Sequence, residues 1–281
     1  MGVVGLTWGL SFVAIRTLDA QIGFVDLTLL RWFVASAGYL VLLPFMRSKV
    51  RFGRVDLPRL LVIGFLNVAA YHLSLNYGEV TVSAGLAGLL ITLGPVFSVV
   101  LGAVFLGEKV GVRLVIALIL AMSGAMILSV GDFSATSGLW GPLSVVLAAL
   151  SYAMFSVLSK PLVGKYGALP VAMWAGVLGT IMLLPLVSIS FFSDVSRLSL
   201  SGWEAVLYLS LVSTVIGYSI FYTLIARSGV SRVMIQLYLI PVVSVVGGVL
   251  LLGETITIAT PLGGAALLLA VWLATTKNKK R

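Results

Sequence analysis

The chain has 281 residues, 60% of them apolar and 10% charged, with a net charge of +9, one histidine and no cysteine. Soluble domains carry roughly 25% charged residues, so water is excluded as the main solvent, and the absence of cysteine excludes a disulfide framework or a thiolate metal site. The basic residues sit at the ends of apolar runs, a placement that fits membrane topology and argues against a nucleic-acid partner.

A bilayer span takes about 20 mainly apolar residues. Ten such runs follow one another: 2–18, 25–46, 58–78, 82–106, 111–130, 138–160, 168–192, 203–226, 230–253 and 256–275. The first is read as a span and not as a removed signal peptide, because no basic segment precedes its apolar residues. Turn residues separate the runs at Arg47 to Pro58, Gly107-Glu108-Lys109, Gly131 to Gly138, Gly164 to Pro170, Ser193 to Gly202 and Gly253-Glu254. Connections this short make neighbouring helices antiparallel.

Charge sets an expected orientation. With a cytoplasmic N-terminus, one side of the membrane holds Arg47, Lys49, Arg51, Arg54, Arg59, Lys109, Arg113, Lys160, Lys165, Arg227, Arg232, Lys277, Lys279, Lys280 and Arg281, fifteen of the eighteen basic residues. Cytoplasmic loops collect positive charge, so both termini are expected inside, in a cell (inner or plasma) membrane crossed many times.

The chain also repeats itself. An offset of 146 aligns Pro95 with Pro241 and makes ten of the sixteen positions from 93 to 108 identical to 239–254, including Leu106-Gly107-Glu108 with Leu252-Gly253-Glu254. Five spans per repeat, an odd number, require the second copy to be inverted. Lys109 and Arg113 accordingly pair with uncharged Thr255 and Ala259, while Arg227 and Arg232 pair with Thr81 and Leu86. The expected architecture is all-α and integral to the membrane. Ten transmembrane helices form two inverted five-helix repeats around a central cavity, 1–132 first and then 133–281 with its basic tail.

The doubled Pro95…Gly107-Glu108 and Pro241…Gly253-Glu254 pattern, with Trp8-Gly9, Arg31 and Gly229-Val230-Ser231-Arg232, resembles the drug/metabolite transporter superfamily. More narrowly, the chain is similar to its ten-helix EamA-type branch over essentially its whole length. The resemblance implies export of amino acids or other small metabolites through a cavity between the halves.

Inverted-repeat transporters bind substrate near the midplane, at the repeat interface. Polar residues there are costly and therefore informative. His72 lies midway through the third run, with Asn76 one turn on and Glu79 extending the same stripe. The offset pairs His72 with Tyr218 and Asn76 with Tyr222, while Trp8 corresponds to Tyr152 at an offset of 144. Gln236 and Tyr238 add amide and phenol groups. These eight residues are the candidate substrate-binding set, since a small organic ligand needs aromatic walls and a few polar anchors. The competing reading is helix–helix hydrogen bonding for His72 and interfacial aromatics for the rest.

Arg31 reads more readily as structural than as a carboxylate anchor. Glu108 and Glu254 read as turn residues, and Pro95 and Pro241 as mid-helix kinks or hinges. No carboxylate lies near the middle of a run, which disfavours cation/proton exchange. There is no histidine cluster, carboxylate pair or Gly-x-Ser-x-Gly elbow, so neither an enzyme nor a cofactor or metal is expected. A channel is disfavoured because no charged ring is visible. The expected function is a secondary transporter of neutral or aromatic amino acids by alternating access. The same fold could instead carry nucleobases, organic cations or lipophilic drugs.

Overall fold

A computed structural model describes residues 2–45, 51–81, 90–91, 93–129, 140–252 and 259–275. Among them all regular structure is helical: α1 Gly2–Asp19, α2 Phe24–Leu42, α3 Leu57–Gly64, α4 Tyr71–Thr81, α5 Leu93–Leu106, α6 Val112–Ser129 and α7 Trp140–Tyr166. There follow α8 Ala168–Leu183, α9 Ile189–Ser196, α10 Leu200–Leu207, α11 Gly217–Ser228, α12 Val230–Gln236, α13 Leu239–Leu252 and α14 Ala259–Thr275. The expectations for 82–89, for Gly131 to Gly138, for Gly253-Glu254 and for the basic tail fall outside the described residues.

Two rods are longer than any single α-helix in their part of the chain. The wide π-helical turn Phe65–Ala70 joins α3 to α4, and a second, Tyr208–Ile216, joins α10 to α11. The combined rods run Leu57–Val80 and Leu200–Ser228, and with α2, α7 and Ala168–Leu186 they give five helices long and apolar enough to cross a membrane. Shorter apolar helices include Leu93–Leu106 and Val112–Gly124.

Three expected boundaries move. The run 168–192 ends at Leu183, where Pro185 limits the helix to a 3₁₀ turn, and Ser188 then caps a separate α9 by accepting from Phe191 N at 3.3 Å. The run 230–253 breaks at Leu237-Tyr238 between α12 and α13. Pro241 is the third residue of α13, in the first turn, where a missing N–H costs nothing. Pro241 is therefore a helix-starting residue and not a mid-helix kink, whereas residue 92, just before α5 and Pro95, lies outside the described residues.

The bundle is held tight by small residues. Gly64 of α3 and Gly179 of α8 face each other backbone to backbone; a Cβ on Gly64 would lie 2.7 Å from Ala175 O. Bulkless positions let helices without a water-driven hydrophobic term gain dispersion contact.

At one end of the bundle Glu108 joins three segments. It accepts from Lys160 Nζ at 2.5 Å and from Val230 N at 2.9 Å, so it caps the start of α12. Gly229 precedes that cap with φ +83°, a left-handed conformation that favours glycine. At the same end Lys165 and Tyr166 bind Asp56 at 2.6 and 2.7 Å, and Gly53 N donates to Tyr166 Oη at 2.9 Å. The two hydrogen bonds hold the Asp56 carboxyl below its ordinary value. The opposite end is tied by Gln21, whose Oε1 accepts from Ser199 Oγ at 2.9 Å.

Candidate functional site

The aromatic core lies where both wide turns end. Tyr71 and His72 open α4 directly after the first, and Tyr218, Phe221 and Tyr222 open α11 directly after the second. Trp8 of α1, Trp32 of α2, and Tyr152 and Phe155 of α7 complete it. His72 and Tyr218, 2% and 3% exposed, share a 3.4 Å hydrogen bond between Nε2 and Oη. Trp32 stands edge-on to His72 with ring centroids 5.3 Å apart, and Tyr71 does so at 4.7 Å. Trp8 packs on Tyr218 and Phe221 at 5.1 Å each and meets Tyr152 edge-on at 6.2 Å. Such tilted and edge-to-face pairs add about 0.5–1.5 kcal/mol beyond area burial.

Hydrogen-bond accounting separates this cluster from an ordinary core. Asn76 donates Nδ2 to Thr28 Oγ1 at 2.8 Å, but its Oδ1 has no partner. Neither do His72 Nδ1, Trp32 Nε1, Tyr152 Oη or Tyr222 Oη, all buried. An unsatisfied buried polar group costs about 1–3 kcal/mol, and each one in a native protein calls for a reason. Five in one aromatic region leave donors and acceptors free to meet a small polar molecule.

The second wide turn supplies a polar buttress. A π-turn shifts backbone bonding to i+5, and here Ser213 O accepts Trp8 Nε1 at 2.9 Å while Thr214 O accepts Tyr39 Oη at 3.2 Å. Arg31, buried, donates Nε to Thr214 Oγ1 at 3.0 Å and Nη2 to Ser213 Oγ at 3.3 Å. Ser11 Oγ also reaches Ser213 Oγ at 2.7 Å. Arg31 thus ties α2 to the turn below Tyr218.

Six of the eight residues singled out from the sequence meet here: His72, Asn76, Tyr218, Tyr222, Trp8 and Tyr152. Tyr238 packs elsewhere, among Ala117, Ala121 and Ala270. The side chain of Gln236 lies outside what is described. Sequence reading missed Trp32, Tyr71, Phe155 and Phe221, as well as Ser213 and Thr214. The adjacency of Tyr71 to His72, and a Ser-Thr pair inside an apolar run, were the available signals.

The chain matches the EamA-like transporter family over residues 2–130 and again over 139–276. A protein of Streptantibioticus cattleyicolor named as a probable terminal-alkyne amino-acid exporter is 34% identical, over 98% of this chain and 92% of its own length. An uncharacterized transporter of Archaeoglobus fulgidus is 30% identical over 96% and 95%. A probable amino-acid metabolite efflux pump of Escherichia coli is 25% identical over 96% and 92%. A crystal structure 19% identical in sequence superposes with a TM-score of 0.78, covering 97% of this chain and 94% of that one. The chain is therefore a multi-pass membrane protein of the EamA-like transporter family.

Proposed function

We propose that the protein is a secondary transporter that exports amino acids, neutral or aromatic ones foremost, by alternating access of two inverted five-helix halves. The observation that carries this reading is the buried aromatic cluster around His72 and Tyr218, with its five unpartnered polar atoms. The names of the relatives in Streptantibioticus cattleyicolor and Escherichia coli favour amino acids as the cargo class.

The inverted repeat has support of its own. Residues related by a two-fold axis touch each other only near that axis. His72 with Tyr218, and Trp8 with Tyr152, are repeat-related pairs in direct contact. Adding the 146-residue offset to the wide turn at 65–70 gives 211–216, which falls within Tyr208–Ile216. The substrate site then lies on the axis, lined by His72, Asn76, Tyr218, Tyr222, Trp8 and Tyr152. Both termini are cytoplasmic, so that Glu108, Lys160 and Asp56 mark the inner face. Ten spans in a cell membrane complete the topology.

Reconstitution into proteoliposomes tests the proposal. Uptake of radiolabelled neutral and aromatic amino acids should exceed that of protein-free vesicles, and Tyr218→Phe should reduce it. Failure with the whole panel, with and without an imposed pH gradient, would reject the substrate class.

A further inference from the structure

A narrow seam between α1 and α4 leads away from the aromatic cluster. Trp8, Phe12, Arg16 and Asp19 follow one another along one face of α1, and His72, Asn76 and Glu79 along one face of α4. Phe12, Arg16, Asp19 and Glu79 line a cleft with room for about one water molecule. The cleft thus ends the seam at the side of the bundle tied by Gln21.

Both helices at this seam are held by other neighbours. α1 packs on α13 and on the second wide turn, while α4 packs on α7, α2 and the first wide turn. Gly9 lets α1 approach Val243 of α13, and Gly78 lets α4 approach Gly141 and Val145 of α7; a Cβ on either glycine would overlap its neighbour. α1 and α4 can therefore part from each other without losing these close approaches.

Two carboxyls stand across the seam. Glu79 is 7% exposed, and neither its Oε1 nor the buried Oδ1 of Asp19 has a hydrogen-bond partner. Arg16 is exposed and, among the described residues, forms no ion pair with either carboxyl. A buried carboxylate without a partner costs several kcal/mol, and one water does not replace a hydration shell. The closed seam therefore suits the acid forms. Burial pushes the Asp19 carboxyl up to about 6, against the pull of Arg16. The charged groups acting on Glu79 are Asp19 and Arg16 of α1 and Arg31 of α2. α7 meets this turn of α4 with Gly141 and Val145, and the first wide turn, Phe65–Ala70, holds no titratable residue.

We propose that Glu79 is a proton-binding site whose occupancy holds the seam between α1 and α4 shut. With the proton in place the carboxyl is neutral and the seam closes on its single water. When the proton passes to bulk water, the carboxylate draws water in and the two helices separate at this end. A path past Phe12 then opens toward Trp8 and Asn76. The closed form binds one more proton than the open form, so rising pH opens the seam. This gate controls access to the aromatic cluster whatever that cluster binds.

The chain has no cysteine, so one introduced by Phe12→Cys is its only thiol. In the purified full chain in detergent, the rate at which that thiol reacts with a charged, water-soluble maleimide reports opening of the cleft. Dividing by the rate for Val55→Cys, at a position 91% exposed, removes the pH dependence of the reagent chemistry. Between about pH 6 and pH 9 the ratio should rise, by up to about tenfold per unit, the limit for one linked proton. Glu79→Gln, which has the shape of the acid, should keep the ratio low and flat. Asp19→Asn should move the rise to lower pH, since it removes a negative charge beside the one forming on Glu79. A flat ratio without the Glu79 change, or the same rise with it, would overturn the proposal. The unsubstituted chain supplies a second readout: amide protection factors at 16–19 and 79–81 should fall over the same range, and constant values would refute the gate. Neither readout uses an amino acid, so its failure leaves the proposed cargo class standing.

Discussion

Replacing Glu108 with alanine should destabilise the protein more than any other single surface-end substitution described here. The carboxylate accepts from Lys160 Nζ at 2.5 Å and from Val230 N at 2.9 Å, and the two side chains are 30% and 13% exposed for Lys160 and Glu108. A hydrogen bond to a charged group is worth about 1.5–3 kcal/mol, and a lost helix cap about 0.5–2 kcal/mol. One carboxylate serves both partners and Lys160 can turn toward water, so the terms do not simply add. The expected loss is about 2–3 kcal/mol, a factor of roughly 30–150 in the folding equilibrium. Glu108→Gln keeps an acceptor for Val230 and loses only the ion pair, so about 1 kcal/mol is expected. Unfolding by sodium dodecyl sulfate in mixed micelles, followed by tryptophan fluorescence, measures both. An alanine variant within about 0.5 kcal/mol of the parent, a shift typical of an uninvolved surface site, would refute the three-way bracing. A further check is Lys160→Ala, which should cost far less when Glu108 is already alanine.

Other consequences can be measured in the same preparations. Tyr222→Phe removes a buried hydroxyl that has no partner, so stability should hold or rise by up to about 1 kcal/mol; amino-acid uptake should nevertheless fall several-fold if that hydroxyl meets substrate. Unchanged uptake would make Tyr222 a packing residue. Gly64→Ala places a methyl 2.7 Å from Ala175 O, and overpacking of this kind should cost about 1–3 kcal/mol in the unfolding assay. For Asp56, whose carboxyl is held below its ordinary value, the sign is that of a depressed acid. Its contribution is intact above the free-carboxylate value of about 3.9 and is lost as pH falls through the lower folded value. Protection factors for amide exchange at 51–56 should therefore be flat through neutral pH and fall only in strong acid, whereas Asp56→Asn should lower them at pH 7.

Much of this architecture is legible in the residues themselves. Apolar runs locate the helices because the bilayer demands about 20 such residues whatever their order, and the 146-residue offset pairs His72 with Tyr218. Contacts between distant segments were harder. Nothing local in Gly107-Glu108 or Gly229-Val230 says that one caps the other, since the bond spans 122 residues. The break at Leu237-Tyr238 did leave a trace, in Pro241 three residues beyond it, which opens the next helix. α9 also had a signal: Pro185 followed by Ser188, a helix stop and then a cap, inside a run read as continuous. Trp32 and Tyr71 went unweighed because aromatic residues in apolar runs are ordinary, and only packing shows which ones converge.

The wide turns have one more implication, for how faces are counted along a helix. An α-helix advances 100° per residue, and a turn that closes on i+5 inserts the equivalent of an extra residue. The faces before and after it are therefore out of phase by up to about 100°. A helical wheel drawn straight through Leu57–Val80 would set His72 and Asn76 about 130–170° from the side of Leu60, Ile63 and Gly64, and the extra residue of the wide turn brings them back toward that side. The same slip rotates Tyr218 and Tyr222 toward the side of Ala205 and Val206. Each rod thus changes the phase of its buried stripe at the wide turn, without a proline or a loop to mark where the change occurs.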